Sequence, residues 1–113
     1  MKRGEIVLAN LNPKKGLEIG KVRPVVIVQS NLLNAVSHPS SIIIPLSTQL
    51  IDDAYPLRYR IAARSLLQHD SDAIIDQIRA VDNARITSDI LGTLSSEEMV
   101  QIDAMIKLVL GLK

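Results

Sequence analysis

Apolar residues along this chain fall in short β-branched blocks, and only near the C-terminus does their spacing change to three and four. Glu5 to Leu11 is apolar enough for a buried strand, and Asn12-Pro13-Lys14-Lys15-Gly16 breaks it into a loop that runs to about Lys21. Val25-Val26-Ile27-Val28 predicts a central strand, with Pro24 at its first position, where a missing N–H is tolerated. Asn31 to Ser40, containing His38-Pro39, has the composition of a loop. Ser41 to Leu46 predicts a third strand, and Pro45 implies an edge or a bulge near its end. Leu57-Arg58-Tyr59-Arg60-Ile61 alternates apolar and basic, as a strand with one wet face would. Ala73 to Val81 reads as another strand, interrupted in its apolar pattern by Asp76 and Gln77.

The last quarter is helical in pattern. Thr87 and Gly92 have the chemistry of a cap and a stop for one short turn of helix. Ser95-Ser96-Glu97-Glu98 fits a capping box, in which the Ser95 hydroxyl and the Glu98 carboxylate each satisfy the other's backbone N–H. Behind it Met99, Ile102, Met105, Ile106, Val109 and Leu110 form one apolar stripe, a core face with a share in any dimer contact. Strands followed by a helix predict an α+β fold, a curved antiparallel sheet closed by the final helix.

Composition narrows the classes. Residues 1–113 suffice for one domain around one core. That core must be aliphatic, because Tyr55 and Tyr59 are the only aromatic residues. With no cysteine there is neither a disulfide scaffold nor thiol chemistry, which suits a reducing, cytoplasmic setting. No run approaches the ~20 apolar residues of a membrane span, and the N-terminus lacks the h-region of a signal peptide. Net charge is +1 but unevenly spread. Residues 1–23 carry Lys2, Arg3, Lys14, Lys15, Lys21 and Arg23 against Glu5 and Glu18, whereas residues 24–51 carry no Asp, Glu, Lys or Arg. A basic segment on a nearly neutral chain is either a solvated loop or a local anion site.

Two stretches carry chemistry. In Asn12-Pro13-Lys14-Lys15-Gly16-Leu17-Glu18-Ile19-Gly20-Lys21-Val22-Arg23-Pro24-Val25 a glycine-containing loop leads into an Arg-Pro strand start. A guanidinium held beside a rigid proline suits bidentate phosphate binding, although by itself it could equally pair with a carboxylate. In Ile44-Pro45-Leu46-Ser47-Thr48-Gln49 a strand end presents two hydroxyls, which could equally make local backbone bonds. Composition alone cannot bring these half-sites together. His38 and His69 show no metal-ligand spacing and read as surface residues.

These stretches resemble the MazF/PemK/Kid family of toxin ribonucleases. Arg3-Gly4-Glu5 matches the family's start, and the loop matches its Pro-x-x-Gly-x-Glu…Arg-Pro-Val element. Pro45-Leu46-Ser47-Thr48 matches the strand-end hydroxyl motif. Asp76-Gln77-Ile78-Arg79-Ala80-Val81-Asp82 with Arg85, then Leu91-Gly92-Thr93-Leu94-Ser95, resembles the last strand and the run into the C-terminal helix. The resemblance implies a small, SH3-like (CcdB/MazF-type) curved antiparallel β-barrel, a homodimer, and a cognate antitoxin whose acidic C-terminal tail covers the basic loop. It implies catalytic roles for Arg23 and for Ser47 with Thr48, and RNA contacts from Asn10, Gly16, Glu18 and Gln77. Asn10 stands where an Asp is common and Leu11 where an aromatic is common, so base selection must differ and lean on hydrogen bonds and arginine stacking.

The implied reaction is metal-independent cleavage of single-stranded RNA, with no cofactor. RNA carries its own nucleophile in the 2′-OH, so the protein need only align it, move two protons and stabilise the phosphorane oxygens. The products are a 2′,3′-cyclic phosphate and a 5′-hydroxyl. Glu18 is the easier choice of base, since arginine stays protonated, although the resemblance favours Arg23. Two other readings remain: an RNA-binding barrel without catalysis, and a CcdB-like toxin that binds DNA gyrase. The end of this chain, Leu110-Gly111-Leu112-Lys113, lacks the Trp-Gly-Ile-like end of that toxin.

Overall fold

The computed structural model describes residues 1–113. The β-branched runs form β1 (Glu5–Asn10), β2 (Val22–Ile27) and β3 (Ser40–Ser47), followed by β4 (Arg58–Ile61), β5 (Ser71–Ile74), β6 (Arg79–Asp82) and β7 (Gly92–Thr93). A short helix α1 (Asn31–Ala35) joins β2 to β3, and α2 (Ser96–Leu110) ends the chain. The sheet runs β4-β5-β3-β2-β1-β7, with β6 also on β3, and every pair is antiparallel. It curls into a half-barrel across which α2 lies. No helix is long and apolar enough to cross a membrane.

Two apolar clusters explain why the central strands read as continuous runs: both of their faces are covered. Ile6, Val26, Val28, Ile44 and Leu46 pack with Met99, Ile102 and Met105 of α2. Their alternate neighbours Val7, Ala9, Leu11, Val25, Ile27 and Ile43 gather with Val81 on the other face, under Ile19 and Ile86. Burying each large aliphatic side chain is worth about 1.5–3 kcal/mol, so the sheet centre is where the fold is anchored.

Several sequence expectations change. Ala73–Val81 is two strands, because a 3-10 turn at Ile75–Gln77 separates β5 from β6. Between the pairs Ile43–Arg79 and Leu46–Ala73, β3 advances three residues while its partner line advances six. Pro45 faces this gap, where no ladder bond is needed, so its place near a bulge is met. Pro24 is third in β2 rather than first. It is tolerated because β3 pairs only Val25–Ile27, so β2 has one partner at Pro24. Within Asn31–Ser40 the expected loop holds α1, started by the Ser30 hydroxyl accepting from Leu32 N. Thr87 and Gly92 do not bound a helix: Gly92 lies in β7, and the short turn is a 3-10 turn at Asn83–Arg85 capped by Asp82. A side chain at Gly92 would meet Arg64 Cγ at 3.1 Å, so glycine there serves close approach. Leu110 leaves the apolar stripe and is exposed. Arg58 and Arg60 do not form a freely solvated face, since both reach the buried Asp72.

The capping box at the start of α2 forms as expected, with the Ser95 hydroxyl accepting from Glu98 N and Glu98 accepting from Ser95 N. Glu98 also holds Arg64 through both of its oxygens. The Arg64 guanidinium, against the opposing effect of burial, lowers the Glu98 carboxyl from 4.5 to about 2. A depressed folded value means that the contribution to stability is complete above about pH 4.5 and is lost as pH falls toward 2. Glu98→Gln should therefore melt below the wild type at pH 7, and the gap should close toward pH 2. A gap of the same size at both pH values would refute this assignment.

Candidate functional site

The loop between β1 and β2 is a built structure. Leu11 N donates to Lys21 O at 2.8 Å and closes its base. The Asn12 side chain accepts from Lys21 N at 2.8 Å, and the Asn10 side chain accepts from Asn12 N at 3.0 Å. Arg85, on the 3-10 turn after β6, donates to the carbonyls of Asn10 and Asn12. At the tip, Glu18 N donates to Lys15 O, and Gly16 inside that turn has φ +58°, a left-handed value that favours glycine. Gly20 is buried against Lys14, where an added Cβ would stand 2.7 Å from Lys14 Cβ.

Arg23 lies on β2 at the foot of this loop, half-buried, with Nε donating to Gly20 O at 2.8 Å. None of the five ion pairs in the chain includes it, so the carboxylate-pairing alternative is not what the structure contains. Its Nη groups are left for a ligand. Arg23 lines a cavity of about 340 Å³ with Asn12, Lys14, Leu17, Glu18, Gly20 and Lys21. Three cations against one carboxylate give this cavity an excess of positive charge, which favours anions.

Ser47 ends β3. The β2–β3 ladder stops at Val25–Pro45, and by strand alternation Arg23 and Ser47, each two residues beyond that pair, lie on the same face of the sheet. Ser47 Oγ accepts from Gln49 N at 3.2 Å, the local bond that a strand-end serine makes. Because a hydroxyl accepts through lone pairs and donates through its one proton, this bond leaves the Ser47 O–H free to donate. Thr48 follows in a bend past the strand end. It lines a second cavity of about 220 Å³ with Leu8, Pro24, Leu67, His69 and Ser71. Ser47 is not among the residues that line this second cavity.

Of the other sequence candidates, Glu18 shares the cavity with Arg23, whereas Asn10 and Gly16 shape the loop's base and tip. Gln77 is half-buried on the 3-10 turn beside β3. Sequence reading missed Asn12 and Gly20 as loop-closing residues, although an asparagine after a strand end and a second loop glycine were both visible. It also missed Asp72, whose signal was two arginines at strand spacing on a neighbouring strand.

Comparison with known proteins gives one consistent result. Residues 2–110 match the family described as the PemK-like, MazF-like toxin of type II toxin–antitoxin systems. The endoribonuclease EndoA of Bacillus subtilis is 33% identical over 113 residues, spanning 99% of this chain and 96% of that protein. MazF of Deinococcus radiodurans superposes with a TM-score of 0.81 at 19% identity, over 99% of this chain and 97% of that one. An endoribonuclease from a mycobacterial species, solved in complex with its cognate antitoxin, gives a TM-score of 0.72 at 19% identity, over 100% and 95%.

Proposed function

The chain belongs to the PemK-like, MazF-like toxin family of type II toxin–antitoxin systems, and on that premise we propose that it is an endoribonuclease cutting single-stranded RNA at the Arg23 cavity. The observation that carries this reading is Arg23 itself. Its Nε is anchored on Gly20 O, and its Nη fork, free of any carboxylate, lines a basic cavity. A planar fork held in this way fits two non-bridging phosphate oxygens.

In the proposed mechanism the 2′-OH attacks the adjacent phosphorus, and the bond to the 5′-oxygen breaks. The products are a 2′,3′-cyclic phosphate and a 5′-hydroxyl. Charge gathers on the phosphorane oxygens, where Arg23 and the free O–H of Ser47 donate to it. Glu18, exposed and in the same cavity, accepts the 2′-OH proton and returns it to the 5′-oxygen as that bond breaks. Asn10, Gly16 and Gln77 border the strand of RNA, and Thr48, in its separate cavity, contacts a flanking nucleotide rather than the reacting phosphate. Because the nucleophile is supplied by the substrate, no metal hydroxide is needed.

The test is end-mapping of RNA cut by the purified protein in excess EDTA. Cleavage should persist and leave cyclic phosphate ends. Activity that disappears with chelator and returns with Mg²⁺ would overturn the mechanism. The same reading includes a cytoplasmic homodimer whose basic loop, residues 11–23, is covered by an acidic antitoxin tail. Light scattering of the free protein, and hydrogen exchange of that loop with the partner bound, would each contradict it by showing a monomer or an unprotected loop.

A further inference from the structure

We propose that Asp72 is a positioning residue for the Ser47 hydroxyl, acting through the loop that follows it. This rests on the assignment of Ser47 to the reacting phosphate. Asp72 lies on β5 and is the register partner of Ser47, the last pair between β3 and β5. Beyond Ser47 the chain has no strand neighbour until β4, so the segment 48–52 must be held by side chains.

Asp72 and the two arginines that it gathers supply those ties. Its side chain is only 1% exposed. One oxygen accepts from Ile51 N at 2.8 Å and from Arg58 Nη1 at 3.3 Å, and the other accepts from Arg60 Nε at 2.6 Å. Arg58 also donates to Gln49 O at 3.0 Å, and Arg60 pairs with Asp52 at 2.9 Å. Gln49, Ile51 and Asp52 are thus each tied to one buried carboxylate, directly or through an arginine. Gln49 N in turn donates to Ser47 Oγ. Fixing Gln49 fixes the direction of that N–H, and so which way the Ser47 proton points.

A carboxylate is a costly way to fill a buried strand position, since an apolar side chain of similar size usually serves stability as well or better. Burial pushes the Asp72 carboxyl up, but the hydrogen bonds from Arg60, Ile51 N and Arg58 more than offset this and hold it below its ordinary value. It therefore stays ionised and keeps both arginines. The four pairs of β4 with β5 already join those strands, so what the network adds is order in segment 48–52.

The experiment is single-turnover cleavage of one RNA by Asp72→Val, Ser47→Ala and the double variant. Thermal melts and the affinity for an oligonucleotide carrying a 2′-deoxy nucleotide at the cut site accompany it. Misplacing a catalytic group by about 1 Å costs on the order of 10²-fold, so Asp72→Val should slow cleavage by roughly that factor while oligonucleotide affinity changes little. The double variant should cleave no more slowly than Ser47→Ala alone, because Asp72 has nothing left to position. Slowing that multiplies with that of Ser47→Ala, or affinity that falls as much as the rate, would overturn the proposal. So would cleavage at wild-type speed by Asp72→Val while Ser47→Ala is slow, and in that case the active-site reading would stand. Wild-type cleavage by Ser47→Ala would instead remove that reading, and the proposal with it. Should Asp72→Val melt too low to assay, Arg58→Met cuts the Gln49 tie from the other side and must give the same non-multiplying loss.

Discussion

Arg23→Ala should cleave single-stranded RNA more than about 10²–10³-fold more slowly than the wild type, at an unchanged melting temperature. That range is the loss expected when one positioned donor to a developing oxyanion is removed. Ser47→Ala, which removes a neutral donor, should fall within it. Arg23 contributes charge-assisted bonds, roughly twice as strong, so its loss should be larger. Arg23→Lys should recover little, because an ammonium cannot span two phosphate oxygens as a guanidinium fork does. Stability should hold because Arg23 is half-buried at a strand end, and its one protein bond is to the loop carbonyl of Gly20. Single-turnover rates on one RNA, with a melt for each variant, decide the matter. An Arg23→Ala protein that melts normally and cuts at wild-type speed would mean that the active site lies elsewhere.

Gly20→Val should lower cleavage by about 10²-fold while the sheet stays folded. A Cβ at this position would stand 2.7 Å from Lys14 Cβ and 3.1 Å from Lys14 Cα, so backbone and not merely a side chain must move. The Gly20 carbonyl that orients Arg23 moves with it. A displacement of about 1 Å at the guanidinium is enough for a loss of that size. The effect should fall on the catalytic rate and much less on the melting temperature, because the two apolar clusters lie in the sheet and under α2. A variant that loses stability and activity in step would show that Gly20 serves the fold alone.

What the chain's pattern made legible was whatever is local. The β-branched runs before Leu11 and after Pro24 fall in β1 and β2, and Ser95 with Glu98 marks the start of α2. Arg23 was visible as a candidate because a glycine-containing loop leads into an Arg-Pro strand start, where a guanidinium beside a rigid proline suits phosphate binding. The five residues of α1 were too few for a helical period to register. The break between β5 and β6 left only a weak trace, the polar pair Asp76-Gln77 within an apolar run. Asp72 was hidden because its partners are 12 and 14 residues away and a strand apart, and only folding shows which carboxylate two arginines share. Thr48 lies one residue past the end of β3, in a bend, and only folding shows which cavity it lines.

The placement of β1 has a consequence for synthesis. β1 is paired on one side by β2 and on the other by β7, which follows it by more than 80 residues, with Glu5 opposite Thr93, and Arg3 is held by Asp103 of α2. Arg23 and Ser47 therefore leave the ribosome long before the elements that cover one face of their sheet. A nascent chain lacking α2 has Ile6, Val26, Ile44 and Leu46 open to water, so the aliphatic cluster cannot close on it. Contacts spanning almost the whole sequence also make the closing step slow relative to folds built from local pairs. That face thus stays open until α2 has been made, and a product truncated before α2 should be inert and prone to aggregate rather than partly active.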